Sequence, residues 1–189
     1  MRSTTFAALT VSLSLAFGLA LPSSADAQAR RPLYAGFGVG PYAYFDVDNV
    51  HFRGEGEFGW HPSGTTQGFF LAANATTSVG RHFVLFFGGI RLGGDIAVHR
   101  TRDVTIFLRP SGLFSAGFID YDGRDDTYGG FMIQPAFDLK IALLDELLHI
   151  VIRPVAIDIF LWPDYRYGGR RDFNASFAYS GMVGLHFAF

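Results

Sequence analysis

Apolar and polar side chains alternate along most of this chain with the two-residue period of an extended strand. Residues 50–60 show the pattern most simply, although their composition is only modestly apolar. Every second position holds glycine or one of the large apolar residues Val50, Phe52, Phe58 and Trp60. The positions between them hold His51, Arg53, Glu55 and Glu57. This segment is therefore predicted to form a strand with one apolar face and one charged face.

Eight segments of this kind can be delimited, separated by stretches rich in Gly, Pro, Asp and Asn. They span residues 33–45, 50–60, 67–77, 82–98, 103–119, 131–143, 148–162 and 173–189, and residues 144–147 form a tight turn between two of them. In the seventh segment Arg153 and Asp158 have opposite parity, so they share a face only if a β-bulge lies near Pro154. The pattern predicts an all-β fold, an eight-stranded antiparallel up-and-down barrel whose two chain termini lie on the same side.

The first 27 residues are set apart from this pattern. Arg2 precedes an apolar run over residues 6–21, and Ala25-Asp26-Ala27 follows it. This arrangement is typical of a secretory signal peptide cleaved before Gln28, and it leaves residues 28–189 as the mature domain. A membrane anchor is the alternative, but the run is shorter than the about 20 residues that a spanning helix needs. A spanning chain without helices must be a closed barrel, because an open sheet edge leaves unpaired backbone groups in lipid.

Length, cysteine content and net charge limit the kinds of protein that this chain can be. A chain of 189 residues is long enough for one domain, and it contains no Cys, so an exported form is stable without disulfides. The formal net charge is −2, which gives no basic field for nucleic acid, and no nucleic-acid partner is expected. The 21 Phe and 23 Gly residues favour a membrane setting only weakly.

The charged residues decide which face meets lipid. Alternation alone would also suit a soluble barrel with an apolar interior. Placing the charged face inside instead collects five residues of each sign, and this neutral sum is what a confined interior requires, because an unpaired buried charge costs several kcal/mol. The predicted interior polar network consists of Arg53, Glu55, Glu57, Arg91, Asp95, Arg109, Asp138, Lys140, Arg153 and Asp158.

Aromatic residues lie near the predicted strand ends, which suggests the two interfacial girdles of a transmembrane barrel. Trp60 falls at one end. The opposite end, which carries the polar loops, holds Tyr42, Tyr44, Tyr121, Tyr128, Tyr165, Tyr167 and Trp162.

The last segment ends without a polar tail, on a strand whose apolar face consists of Val183, Leu185, Phe187 and Phe189. It resembles the closing strand of bacterial outer-membrane barrels, whose terminal Phe and alternating apolar residues serve as an assembly signal. Over residues 33–189 the chain is similar to the small outer-membrane β-barrel proteins of diderm bacteria, the OmpA-like and OmpW-like set. We expect no peptidoglycan-binding domain after the barrel.

The resemblance implies export through the Sec pathway and residence in the outer membrane of a diderm bacterium. The implied partners are outer-membrane lipids and lipopolysaccharide, with periplasmic chaperones and the barrel-insertion machinery during biogenesis.

Sequence motifs for chemistry are weak. The acidic stretch 120–126 has its Gly at the wrong position for an EF-hand calcium loop and lacks the final Glu, so a solvated loop is expected. The six His residues have no zinc-ligand spacing. His149 and His186 could face inward, as in an outer-membrane lipid A deacylase, but the local sequence after His186 lacks the His-x-Ser-Asn element of those enzymes. Gly36, Gly38 and Gly40 lie within a strand and are expected to make room for Arg or Tyr from neighbouring strands.

These observations predict a non-enzymatic barrel without a cofactor, which presents polar loops for envelope structure or adhesion. Two alternatives stay open at this stage. One is a narrow channel for ions or small apolar solutes, and the other is a lipid-modifying hydrolase of the outer membrane.

Overall fold

A computed structural model describes residues 30–44, 50–80, 83–121, 127–165 and 171–189. Its eight antiparallel strands form one closed barrel in which each strand pairs with its neighbours in sequence. The strands are β1 (Leu33–Tyr44), β2 (Val50–Trp60), β3 (Gly68–Val79), β4 (Phe83–Arg100), β5 (Val104–Tyr121), β6 (Thr127–Leu143), β7 (Leu148–Tyr165) and β8 (Arg171–Ala188). The predicted all-β, eight-stranded antiparallel barrel is therefore confirmed.

The two ends of the barrel differ in their connections. Leu33 N–H donates to Phe189 O at 3.1 Å and Phe189 N–H donates to Leu33 O at 2.8 Å, which closes the ring between β1 and β8. We call this the terminal end, and it also carries the connections 61–67, 101–103 and 144–147. The opposite end, the loop end, carries residues 45–49, 81–82, 122–126 and 166–170, which lie outside the described residues, as does the predicted signal peptide.

Several strands extend beyond their predicted bounds. β6 begins at Thr127 rather than at residue 131, because its pairing with β5 continues as far as Asp120 opposite Thr127. The alternating apolar pattern ends before the hydrogen-bonded pairing of the strands does. Because the sequence reveals only the apolar pattern, it underestimates the length of the strand. Among the described residues, no helix is long and apolar enough to cross a membrane.

Outward-facing side chains of the barrel form an apolar wall. Phe, Val, Ile and Leu residues are exposed on every strand, including Phe37, Phe58, Ile90, Phe114, Phe137, Val155 and Val183. Alternate positions on the same strands are buried, as in β3, where the two classes exchange at each residue from Gly68 to Val79. A wall of this size in water would be an exceptional exposed patch.

The bulge predicted near Pro154 is confirmed. The register of β7 against β8 shifts between Arg153 and Ala156, and both Pro154 and Val155 face outward. Arg153 and Asp158 can therefore both point into the barrel. The bulge leaves the carbonyl of Pro154 on the wall, where the hydroxyl of Tyr179 donates a hydrogen bond to it at 2.6 Å.

Replacing Tyr179 with Phe should destabilise the folded barrel by about 1–3 kcal/mol in a bilayer, because the Pro154 carbonyl then lacks a partner in an apolar medium. Urea unfolding of the protein in phospholipid vesicles measures this change. Phe177→Leu, on the same face of β8, is the control and should have a small effect. An equal loss in both variants would show that the hydroxyl contributes nothing.

The turn between β6 and β7 is backbone-strained. Leu144, Asp145 and Glu146 have φ values of 54°, 54° and 63°, a left-handed conformation that costs a non-glycine residue about 1–2 kcal/mol. This confirms the tight turn expected at residues 144–147. In this turn the Glu146 carboxylate accepts hydrogen bonds from Thr66, in the connection 61–67, and from Thr105, at the start of β5.

Candidate functional site

The structure places the ten residues of the proposed interior network inside the barrel, each with at most 6% of its surface exposed. They come from five of the eight strands, so only the closed ring brings them together. Nine ion pairs join all ten side chains into one continuous set, which we call the ionic network.

Glu55 is the hub of the half of the ionic network nearer the loop end. Its carboxylate lies 2.8 Å from Arg91 Nη2, 2.9 Å from Arg153 Nη1 and 3.6 Å from Arg53 Nη2. Arg153 also pairs with Asp138 through Nε at 2.7 Å and Nη2 at 3.1 Å. Arg53 continues the chain of charges to Asp158.

Glu57 and Asp95 organise the half nearer the terminal end. Glu57 lies 2.9 Å from Arg91 Nε and 3.1 Å from Arg109 Nη1. Asp95 lies 2.9 Å from Arg109 Nε and 2.5 Å from Lys140 Nζ. Because every cation faces at least one carboxylate, the charges compensate one another where water is largely excluded.

Neutral side chains complete this set. Gln134 accepts from Arg91 Nη2 at 2.9 Å and donates to Asp158 at 2.5 Å, which links the two halves of the ionic network. At the terminal end, His61 Nε2 lies 2.8 Å from Asp95. Burial lowers the pKa of His61 below its ordinary value, and the ionised Asp95 carboxylate accepts a hydrogen bond from its Nε2–H.

The guanidinium of Arg109 rests against aromatic rings. Its Cζ lies 3.9 Å from the centroid of Phe70 and 4.8 Å from that of Tyr34, both within cation–π range. The hydroxyl of Tyr34 donates to Glu57 at 2.7 Å, and its ring stacks on His186 with a centroid separation of 5.4 Å. Tyr34 is therefore held by its hydroxyl and by two contacts to its ring.

Gly59 leaves the space that Tyr34 fills. A Cβ at Gly59 would lie 2.1–2.4 Å from the Cε1, Cζ and Oη atoms of Tyr34, whereas a Cβ at Gly56 on the same strand would meet nothing within 4 Å. Gly59→Ala should lower the free energy of unfolding by about 1–3 kcal/mol through overpacking, because the Tyr34 ring cannot move away. Gly56→Ala is the matched control in the same urea titration, and equal effects would contradict this account.

The expectation for the glycines of β1 was correct about the space and wrong about the occupants. A Cβ at Gly36 would clash with the ring of His186, and one at Gly38 would clash with Met182. Gly40 instead permits close approach of the Gly181 backbone. Neither Arg nor Tyr fills these positions, because the register of β1 against β8 brings His186 and Gly184, rather than any Arg or Tyr, opposite Gly36 and Gly38.

The predicted girdle at the loop end is wrong for the residues that the structure describes there. Tyr42 is buried inside the barrel, and Tyr44 and Trp162 pack against the same interior cluster. Phe160 stacks on Trp162 at 5.6 Å with an interplanar angle of 9°. Tyr167 and the side chains of Tyr121, Tyr128 and Tyr165 lie outside the described residues, whereas Trp60 is exposed on the wall at the terminal end.

The interior cluster at the loop end is an aromatic layer that the sequence reasoning missed. It consists of Tyr42, Leu85, Phe87, Leu113, Ile119, Met132, Phe160 and Ala178, with Tyr44, Phe83 and Trp162 against it. The sequence did contain a signal for this layer. Leu85, Phe87 and Leu113 are separated by even numbers of residues from the inward charged residues of their own strands, so they point to the same face. The interior is therefore layered. The aromatic layer lies toward the loop end and the ionic network lies on its terminal side, and a smaller buried cluster of Tyr34, Phe70, Ala72 and Ala188 lies at the terminal end itself.

The proposed assembly signal lies on the wall and at the closing edge of the ring. Val183, Phe187 and Phe189 are exposed and Leu185 is half-buried, and all four face outward from the last strand. Their role in assembly stays a prediction.

The candidate catalytic histidines are both buried in the interior. His149 and His186 are direct cross-strand partners on β7 and β8. Within the described part of the chain, no three His, Cys, Asp or Glu side chains are grouped to hold a metal ion. Most of the acidic stretch 120–126 lies outside the described residues.

Comparison with known proteins identifies the architecture. Neisserial surface protein A matches with a TM-score of 0.53 and 12% identity, over 83% of this chain and 96% of that one. The N-terminal β-barrel domain of Pseudomonas aeruginosa OprF gives 0.49 and 12%, over 82% and 97%. Ail of Yersinia pestis gives 0.45 and 6%, over 84% and 99%. No family model and no curated protein matches the sequence.

Identities this low bear on the fold alone. The Neisserial match covers nearly all of the barrel and agrees with the strand number and closure described above. The resemblance drawn from the sequence is confirmed at that level, and the chain has the fold of the small eight-stranded outer-membrane β-barrels.

Proposed function

We propose that this chain is an integral outer-membrane protein whose barrel is closed to solutes and carries loops for envelope structure or adhesion. The apolar wall supports membrane residence, because hydrocarbon is the solvent in which such a surface is stable. Trp60 on the wall at the terminal end fits a residue at the membrane interface. Lipids and lipopolysaccharide of the outer membrane are the partners that this surface would contact.

The main observation in favour of a closed barrel is that two sets of side chains fill its interior. The ionic network occupies the lumen toward the terminal end, and the aromatic layer occupies it toward the loop end. An eight-stranded barrel has an interior just wide enough for side chains to fill. A solute would have to displace both paired charges and packed rings, so conduction is not expected.

Planar-bilayer recording of the purified protein tests this proposal. Insertion is verified separately, by heat-modifiable migration in detergent and by fractionation of cells into inner and outer membranes. The expected result is a protein that inserts and gives no steady single-channel steps. Reproducible steps from the inserted protein would favour the channel alternative and overturn the closed reading.

A non-enzymatic role is part of the same proposal. His149 and His186 face the interior at the terminal end, away from the wall where an acyl chain of lipid A would lie. Replacing both with Gln should leave the mass spectrum of lipid A unchanged in cells that produce the protein. A mass difference that depends on these two residues would support the hydrolase alternative.

Loop presentation can be tested apart from the barrel. Residues 122–126 and 166–170 include six Asp or Arg residues in their sequence. Replacing each segment by a Gly-Ser linker of equal length should abolish binding of whole cells to a host-cell or matrix surface while outer-membrane levels stay constant. Undiminished binding of the doubly replaced protein would remove adhesion and leave envelope structure as the function.

A further inference from the structure

We propose that the connection 61–67 between β2 and β3 is a latched lid over the terminal-end mouth of the barrel. This connection has seven residues, more than the three of 101–103 and the four of 144–147 at the same end. A hairpin at this point needs only two to five residues, so the extra length requires an explanation. Two left-handed glycines, Gly64 and Gly68, with φ values of 77° and 94°, allow the chain to turn back on itself.

The lid lies across the mouth and not beside it. The hydroxyl of Thr66 donates a hydrogen bond to Glu146, which lies in the connection between β6 and β7. In an eight-strand ring, the connection between β2 and β3 and the one between β6 and β7 are half a circumference apart. A contact between them must cross the opening, and Thr66 is accordingly 0% exposed.

Four contacts form the latch. Glu146 accepts from Thr66 and pairs with Arg100 at 3.3 Å, which ties the lid to the connection 144–147 and to the end of β4. Lys140 Nζ, from inside the barrel, donates to the carbonyl of Thr66 at 3.1 Å. His61, at the start of the lid, holds Asp95 at 2.8 Å. The latch therefore joins the lid both to the opposite rim and to the ionic network.

Releasing the latch opens one end of the barrel only. The aromatic layer at the loop end shares no residue with the latch, so it stays packed when the lid moves. Beyond the proposed function, therefore, moving the lid exposes the terminal-end interior, including Lys140 and Asp95, while the barrel stays closed to solutes. This movement does not depend on adhesion, and its test does not use conductance.

The absence of Cys from the sequence permits single-cysteine labelling. Ser63→Cys reports the exposed surface of the lid, and Ala142→Cys reports the buried interior behind it, next to Thr105 and His149. Ala178→Cys reports the aromatic layer. A charged methanethiosulfonate reagent is applied to the folded protein in detergent micelles. With the natural latch, labelling should be fast at 63 and slow at 142 and 178.

Glu146→Ala should raise the labelling rate at 142 by at least about tenfold, because a hydrogen-bonded charged group is lost from the latch. Asp145→Ala is the matched control in the same turn; it removes an exposed carboxylate and should leave the rate unchanged. Thr66→Val, a gentler variant of similar shape, should act like Glu146→Ala. Labelling at 178 should stay slow throughout.

Three results would overturn the proposal. Labelling at 142 as fast as at 63 with the natural latch would mean that no lid exists. Equal rates at 142 in the Glu146→Ala and Asp145→Ala backgrounds would mean that Glu146 does not hold the lid. A rise at 178 together with 142 would mean that the whole barrel opens.

Discussion

Asp138→Leu is expected to lower the free energy of unfolding by about 3–5 kcal/mol, the cost of leaving a buried charge without its partner. Asp138 accepts two hydrogen bonds from Arg153, and both side chains are almost fully buried. Removing the carboxylate leaves the ionic network with one excess positive charge in a medium that screens it poorly. Urea unfolding in phospholipid vesicles, followed by heat-modifiable migration, measures the loss.

The double variant Asp138→Leu with Arg153→Met is the decisive control. It restores neutrality with side chains of similar volume, so it should recover much of the lost stability, even though Glu55 loses one of its three arginine partners. If the two substitutions were additive and the double variant were the least stable, charge balance would not be what holds the interior together.

Ile90→Arg is expected to destabilise the barrel in a bilayer by about 2–4 kcal/mol, the cost of a lipid-facing Arg near the membrane midplane. Ile90 lies near the middle of β4, with 53% of its surface exposed on the wall. The cost comes from transfer of a guanidinium into hydrocarbon, since no packing contact inside the barrel is changed. Reversible unfolding in vesicles of a fluid phosphatidylcholine measures it.

Val98→Arg is the matched control for that substitution. Val98 lies on the same strand and the same face and is also 53% exposed, but it is close to the terminal end. Near the interface an Arg costs only about 0–1 kcal/mol. Equal and small effects at both positions would show that the wall faces water.

Much of the fold could be predicted because successive side chains of a strand point to opposite faces, so residues of one face recur at every second position. The bulge at Pro154 followed from this rule, since Arg153 and Asp158 could not otherwise share the interior. The same parity placed all ten charged residues inside. Pairing within the network could not be predicted, because it depends on the tilt and register of strands that lie far apart in sequence.

Features that depend on contacts across the barrel were not accessible to sequence reasoning. Tyr42 and Trp162 lie near strand ends, which suggests a girdle, but Tyr42 alternates with the same period as the buried residues Tyr34, Gly38 and Gly40 of β1. The position of a residue along its strand and the direction of its side chain are separate signals. The direction decides whether an aromatic side chain lies on the wall or in the interior. The lid was also missed, because only the closed ring brings Thr66 to Glu146 across the mouth.

Fluorescence quenching by lipids brominated along the acyl chain tests most directly which face meets hydrocarbon. Phe86 and Phe87 are consecutive on β4, yet 44% of the first and 2% of the second is exposed. With both natural tryptophans replaced by Phe, a single tryptophan is introduced at either position and the protein is folded into brominated vesicles. Strong quenching for Phe86→Trp and little for Phe87→Trp is the predicted result. Quenching of Phe87→Trp alone, or of neither, would contradict an apolar wall in lipid around a sealed interior.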